Sequence, residues 1–297
     1  MNRRSRRLLA AFCLLNTLSL TQAATFSGHY PAGAEGITAA TLPPPGFYVR
    51  DYNLFYYADK FPGGPPDFKA VAYINAPRAI YLTDFKILGA NYGLDLLVPF
   101  YYGDVSFQTP AGKLKDSTFA MGDLQFEPLL LAWHLQQVDI GAGYAFWAPT
   151  GDYNRDGSRP SRLLAKGFWS HMLTLGATWY VDPEKTWSIS ALNRYEFHMK
   201  NNDLDFTAGD TDTLEFGVGK SLNKYFTVGL AGYFQKQTTS YNPSSAGPTD
   251  HVVGLGPEIS TFCPKIGLFA SLRYAREFDA KDRPEGNNVT LTLTKRW

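Results

Sequence analysis

The sequence predicts an all-β chain, a transmembrane antiparallel up-and-down β-barrel of about 12 strands. Three observations predict it. Period-2 alternation of apolar and polar residues recurs along most of the chain. The connections between these segments alternate between short and long. Beyond the N-terminal leader, no apolar run approaches the length of a membrane helix, and lipid accepts strands only as a closed ring.

The leader comes first. Arg3, Arg4, Arg6 and Arg7 precede an apolar run from Leu8 to Leu20, and Thr21-Gln22-Ala23 follows as a cleavage pattern. Residues 1–23 therefore read as a secretory signal peptide. The whole chain carries a formal charge of +1; the leader holds four arginines and no acids, so its removal leaves −3. That near-balance argues against a nucleic-acid partner, which asks for a basic face. Cys263 alone remains after cleavage, which excludes an intrachain disulfide.

Residues 24–46 are rich in Pro, Gly and Ala and end at Pro43-Pro44-Pro45-Gly46. They read as irregular, either periplasmic or folded into the barrel as a plug. From Phe47 to Trp297 the alternation takes over, and residues 47–297 form the predicted barrel. Segments are expected near 47–59, 70–88, 90–102, 118–135, 138–149, 168–181, 186–200, 211–222, 225–238, 250–262, 265–279 and 286–297. Short turns fall at Gly89, Gln136-Gln137, 182–185, Asn223-Lys224 and Cys263-Pro264, and long loops near 60–69, 103–117, 150–167, 201–210, 239–249 and 280–285. Short turns belong to the periplasmic side and long loops to the outside. Trp297 closes the last strand with a terminal aromatic, a signal for the outer-membrane assembly machinery.

A lipid-facing register leaves a second set pointing inward. Its charged members are Asp51, Asp84, Asp95, Asp123, Glu127, Arg194, Glu196, Glu215, Glu258, Arg273 and Glu277, with Asn53, Lys86, Gln125, Asp139 and Gln235 beside them. On the lipid face a midplane Arg or Lys would cost roughly 2–4 kcal/mol, so the lumen is their expected place. There they either pair across the interior or line a water-filled path. Acids outnumber bases, which excludes strong anion selectivity. Tyr57, Tyr101 and Tyr233, with Phe55 and Trp147, fall on the inward parity and are candidates to hold an apolar solute. Tyr48, Tyr81, Trp133, Trp179, Trp187, Tyr225 and Trp297 lie near strand ends, where interfacial girdles form.

Chemical motifs are few. Asp152, Asn154 and Asp156, followed by Gly157, match the opening of a calcium loop, but Leu163 stands where that loop needs a bidentate Glu. The five histidines show no metal-ligand spacing, and no cofactor is expected. Ser170 and His171 are adjacent, so a strand would send them to opposite faces, and no nucleophile elbow occurs. An enzyme is therefore not expected.

Five stretches carry a family resemblance: Leu42 to Tyr48 (LPPPGFY), Pro149 to Tyr153 (PTGDY), Thr207 to Asp210 (TAGD), Gly229 to Gln237 (GLAGYFQKQ) and Gly254 to Pro257 (GLGP). The chain resembles the outer-membrane transporter family of the meta-pathway of phenol degradation. The resemblance implies a Gram-negative outer-membrane barrel that takes up small aromatic or other hydrophobic compounds, with no catalytic or binding residues to transfer. The expected function is a passive channel whose partners are outer-membrane lipid and a small solute. The alternatives are a structural or adhesive barrel with a sealed lumen, and an outer-membrane hydrolase, which would need a Ser, a His and an acid to converge.

Overall fold

The computed structural model describes residues 28–155, 158–162, 164–243 and 250–297. The expected leader lies outside these residues, as does Asp156. Sixteen strand segments follow one another: β1 (Gly46–Lys60), β2 (Lys69–Ile87), β3 (Ala90–Leu97), β4 (Phe100–Thr109), β5 (Gly112–Met121), β6 (Leu124–His134), β7 (Val138–Ala148), β8 (Ser170–Tyr180), β9 (Trp187–His198), β10 (Lys200–Asn201), β11 (Phe206–Thr207), β12 (Thr211–Ser221), β13 (Phe226–Gln237), β14 (His251–Cys263), β15 (Leu268–Lys281) and β16 (Glu285–Arg296).

Twelve of them close a ring in the order β1-β2-β3-β6-β7-β8-β9-β12-β13-β14-β15-β16, because β1 pairs antiparallel with both β2 and β16. Closure leaves the ring no edge, so each of its twelve strands meets a partner on both sides, as a lipid environment demands. The expected strand positions match this ring. The region 103–117, expected as a loop, is instead a hairpin: β4 and β5 pair from Phe100↔Met121 to Thr109↔Gly112. They continue β3 and β6 past two facing interruptions, at Val98-Pro99 and Gly122-Asp123. Pro99 has no N–H for the ladder, and its carbonyl accepts from Gly122 N at 2.8 Å.

Both walls of the ring are legible in the burial alternation. Leu175, Leu230, Ile189, Leu272 and Leu291 are exposed on the outside, while Thr178, Ser190, Glu215, Arg273 and Thr290 are buried on the inside. Tyr81, Trp179, Trp187, Tyr225 and Trp297 are exposed around the end that carries the short turns, together with Phe47, Phe226 and Phe262. That is the aromatic girdle of the periplasmic interface. Tyr48 does not belong to it: it is buried and its hydroxyl donates to Pro44 O at 2.8 Å.

Strand β1 corrects the expected inward set. Its inward row is Tyr48, Arg50, Tyr52, Leu54 and Tyr56, so Asp51, Asn53, Phe55 and Tyr57 point outward, with Asp51 opposite Leu293 and Asn53 opposite Leu291. The reason is local satisfaction of polar groups. On the outside, Asn75 donates to Asp51 at 2.8 Å and Tyr73 donates to Asn53 at 2.7 Å. On the inside, the tyrosine hydroxyls reach lumen carboxylates, Tyr56 to Glu277 at 2.7 Å. Asp84 also leaves the inward set, because β2 changes register between Leu82 and Lys86 and leaves it exposed near the short turn.

The wall assignment has a direct test. Leu272→Arg places a charge in the outer face and should destabilise the folded barrel by roughly 2–4 kcal/mol in lipid, read by urea unfolding. No loss of stability would show that this face does not meet the hydrocarbon.

Candidate functional site

Residues 28–45 form no strand; they run through the interior of the ring, bonded to inward side chains from the long-loop end to the short-turn end. An irregular backbone in a lumen must find partners for its N–H groups, and the wall supplies them. Glu196 accepts from His29 N and Tyr30 N, each at 3.2 Å, and Glu215 accepts from Glu35 N at 2.9 Å. Glu258 accepts from Ile37 N at 3.0 Å, and the Ser190 hydroxyl accepts from Ala40 N at 3.2 Å. Arg273 donates to the carbonyl of Gly33 and Gln235 to that of Tyr30. Near the short-turn end Ile37 is packed over Gly217 and Gly229; a Cβ at Gly217 would lie 2.5 Å from Ile37 Cα, so glycine is what permits the close approach.

At the upper end His29 joins residues from four strand termini and loops. Its Nε2 is 2.9 Å from Asp123 and its Nδ1 is 2.8 Å from Ser170 Oγ, which is 2.6 Å from Nδ1 of His198. With both rings neutral, one arrangement satisfies each of these contacts: His198 Nδ1–H donates to Ser170, Ser170 O–H to His29, and His29 Nε2–H to the Asp123 carboxylate. Burial lowers the His29 pKa against the pull of Asp123, in keeping with a neutral ring. The ring of His29 also stacks on Trp147 with centroids 5.4 Å apart. Asp123 further accepts from the backbone N–H groups of Gly151 and Lys166 at 2.9 and 2.7 Å.

Ser, His and Asp thus converge, which the adjacency of Ser170 and His171 had argued against. The partner is His29, 141 positions away in sequence. The geometry is a relay, yet Ser170 is fully buried, and its oxygen already sits between two imidazole nitrogens. It offers no open face to a carbonyl carbon, so the observed role of the contact is to fasten the segment to the wall.

At mid-height stands the densest charge cluster. Glu35 is the sole charged residue between Ala24 and Gly46. Its carboxylate lies 3.2 Å from Arg50, 3.7 Å from Arg194 and 3.8 Å from Arg78, and it accepts from the Tyr52 hydroxyl at 2.7 Å. Arg78 also bridges Asp95 at 2.5 Å and Glu127 at 2.6 Å, and Arg194 meets Glu215 at 2.5 Å. Burying a carboxylate is costly, and the guanidiniums of Arg50, Arg194 and Arg78 offset that cost.

The cluster divides the interior. Above it lies a narrow cavity of about 50 Å³, lined by Leu54, Ile74, Ala76, Leu97, Pro99 and Trp147, with Arg78, Arg194 and Glu127 at its polar edge. His29, Tyr30, Leu54 and Ile74 also line a second cavity of about 200 Å³, which takes in loop residues Lys166 and Arg283. Below lies a wider vestibule of about 500 Å³, bounded by Arg50, Arg273, Arg296 and Lys185, by Asp139 and Glu258, and by the Leu42-Pro43-Pro44 stretch. Ala34 and Glu35 line both the upper cavity and the vestibule.

Of the sequence-derived site residues, Asp95, Tyr101, Asp123, Glu127, Arg194, Glu196, Glu215, Tyr233, Glu258, Arg273 and Glu277 are buried within the barrel. Asp51, Tyr57 and Asp84 are not part of it. The sequence reading missed His29, Glu35, Arg50, Tyr52, Arg78 and His198. For Glu35 a signal existed, a single acid in an otherwise uncharged apolar segment. Asp152 and Asn154 of the calcium-like loop bond instead to Arg162 and to the backbone N–H of Arg159, at 2.7 and 2.9 Å. Among the described residues no group of three or more His, Cys, Asp or Glu could hold a metal ion.

The Glu35 contact has a direct test. A spin label on Thr38 should be immobile at neutral pH in the wild type, where three guanidiniums and the Tyr52 hydroxyl hold the carboxylate. In Glu35→Gln it should be mobile at neutral pH. Equal mobility in both proteins would show that this carboxylate does not seat the segment.

Comparison with known proteins places this geometry. No curated protein matches the chain. A solved structure, an outer-membrane channel from Pseudomonas putida F1, superposes with a TM-score of 0.70 at 15% identity, over 90% of this chain and 99% of that one. Two porins align more loosely: KdgM with a TM-score of 0.46 at 10% identity, over 84% and 99%, and NanC with 0.47 at 9%, over 84% and 100%. The fold is that of an outer-membrane β-barrel. Residues 51–293 match the family described as "Putative MetA-pathway of phenol degradation", and the chain belongs to that family.

Proposed function

We propose that the protein is a passive outer-membrane channel for small compounds with an apolar, in particular aromatic, body, and that the segment 24–46 acts as its plug. One observation carries the reading: a narrow apolar cavity of about 50 Å³ inside the ring, with a wider cavity on either side, closed off by a segment that wall side chains hold in place. Leu54, Ile74, Leu97 and Trp147 offer such a solute a surface where burial of a ring is favourable, at roughly 25 cal/mol per Å². The family's description in terms of phenol degradation agrees with an aromatic solute. No nucleotide motif or energised element supports active transport, so the driving force is the gradient. Trp297, exposed at the end of β16, is the residue we expect the assembly machinery to read.

Liposome swelling tests this. The refolded barrel should admit benzyl alcohol or benzoate faster than a sugar of similar size. Gly217→Val removes no charge but forces the segment off the wall at Ile37; it should increase passage of all solutes several-fold. A folded barrel that passes neither solute, even as Gly217→Val, would retire the channel reading in favour of a sealed structural barrel.

A further inference from the structure

The position held by the Glu35 carboxylate is itself a ligand site. Charge is the first argument. Around it stand Arg50, Arg78 and Arg194, with Asp95, Glu127 and Glu215 beside the last two. Arg78 and Arg194 have carboxylates of their own on the wall. Among the described residues, the ion-pair partner of Arg50 is Glu35. If the segment withdraws, Arg50 is left in the interior as a guanidinium without a carboxylate, a costly state. The wall is therefore built to hold one carboxylate that it does not itself supply.

Shape is the second argument. Glu35 lines the boundary between the apolar upper cavity and the charged lower vestibule. An anion arriving from above would leave its apolar body among Leu54, Ile74, Leu97 and Trp147. Trp147 Nε1 is buried and has no hydrogen-bond partner among the described residues, so the wall also has an unused donor. The Tyr52 hydroxyl, now given to Glu35 at 2.7 Å, completes the set. A fork of guanidinium N–H groups plus a phenol O–H matches a carboxylate and is wasted on an alcohol or a sugar.

We propose that Arg50 and Tyr52, backed by Arg78 and Arg194, form a binding site for small organic carboxylates with an apolar body, and that Glu35 occupies it at rest as an internal competitor. The solute's carboxylate displaces that of Glu35, which unseats the segment at the level where it divides the two cavities. As a step in passage this rests on the channel reading. The site resolves an apparent contradiction. An interior with more acids than bases is a poor general anion pore, yet it can hold one anion where an anion already sits.

Equilibrium dialysis of benzoate and of benzyl alcohol against the full refolded barrel tests it at neutral pH. Glu35→Gln should bind benzoate about ten-fold more tightly than the wild type, because the competitor is gone. Arg50→Gln should bind it about ten-fold more weakly, and Tyr52→Phe about three-fold more weakly, which keeps the test open should Arg50→Gln fail to fold. Benzyl alcohol should bind alike in all four proteins. Unchanged benzoate affinity in Glu35→Gln, or benzyl alcohol following benzoate through the series, would overturn the site. Swelling assays on the same proteins separate the two readings. Benzoate bound in the expected order without passage of any solute removes the channel and keeps the site. Passage of benzyl alcohol with no benzoate bound removes the site and keeps the channel.

Discussion

Closure of the ring through β1 is the constraint on which the rest depends. Because β1 pairs with β2 on one side and β16 on the other, no backbone edge meets lipid, and each strand has one row of side chains outside and one inside. An interior of this circumference is too wide for its own side chains to fill and narrow enough for a single extra chain to fill it. The segment 28–45 takes that place. Its conformation is irregular, so its N–H groups bond outward to the wall.

This explains the excess of acids among the inward residues. In a sealed lumen one expects acids and bases to pair one to one. Here Glu196, Glu215 and Glu258 spend acceptor capacity on backbone N–H groups of His29, Tyr30, Glu35 and Ile37. A carboxylate that receives N–H groups needs less counter-charge than one facing only side chains. Glu215 does both, taking Arg194 and the Tyr30 hydroxyl besides. The acids are thus fitted to a guest backbone, and the arginines to the one acid that the guest carries.

The fold was legible in the sequence because barrel physics writes itself into period and loop length, and both survive without side-chain detail. Site residues were legible where charge alone decides direction, as at Glu127, Arg194 and Glu215. The reading failed on β1, where Tyr48, Tyr52 and Tyr56 share the inner row with Arg50 and Asp51 finds amide partners outside. It also failed at 103–117, read as a loop, where the strands go on as the paired hairpin β4–β5. Ser170 and His171 do face opposite ways, as adjacency dictates: Tyr144, paired on the outer side, bonds to His171, while Ser170 is buried. What no local pattern contains is the partner His29, brought to Ser170 by the path of the whole segment.

The fastenings at His29 and at Glu35 differ in kind, and the difference bears on how the segment can leave. The His29 contacts are uncharged at the ring, deeply buried and directional, with hydrogen bonds to Ser170 and Asp123 and a stacked Trp147. Breaking them strands several polar atoms at once, which makes this end a fixed anchor. Glu35 is held by charge, at contacts of 3.2 to 3.8 Å with three guanidiniums, and its side chain keeps some solvent access. Another anion can replace it without leaving any arginine bare. Movement that begins at Glu35 with His29 still fixed opens the boundary between the cavities and keeps the segment in the barrel. The ring needs no help from the segment to stay closed, since its own ladders hold it, so the interior can be both filled and passable.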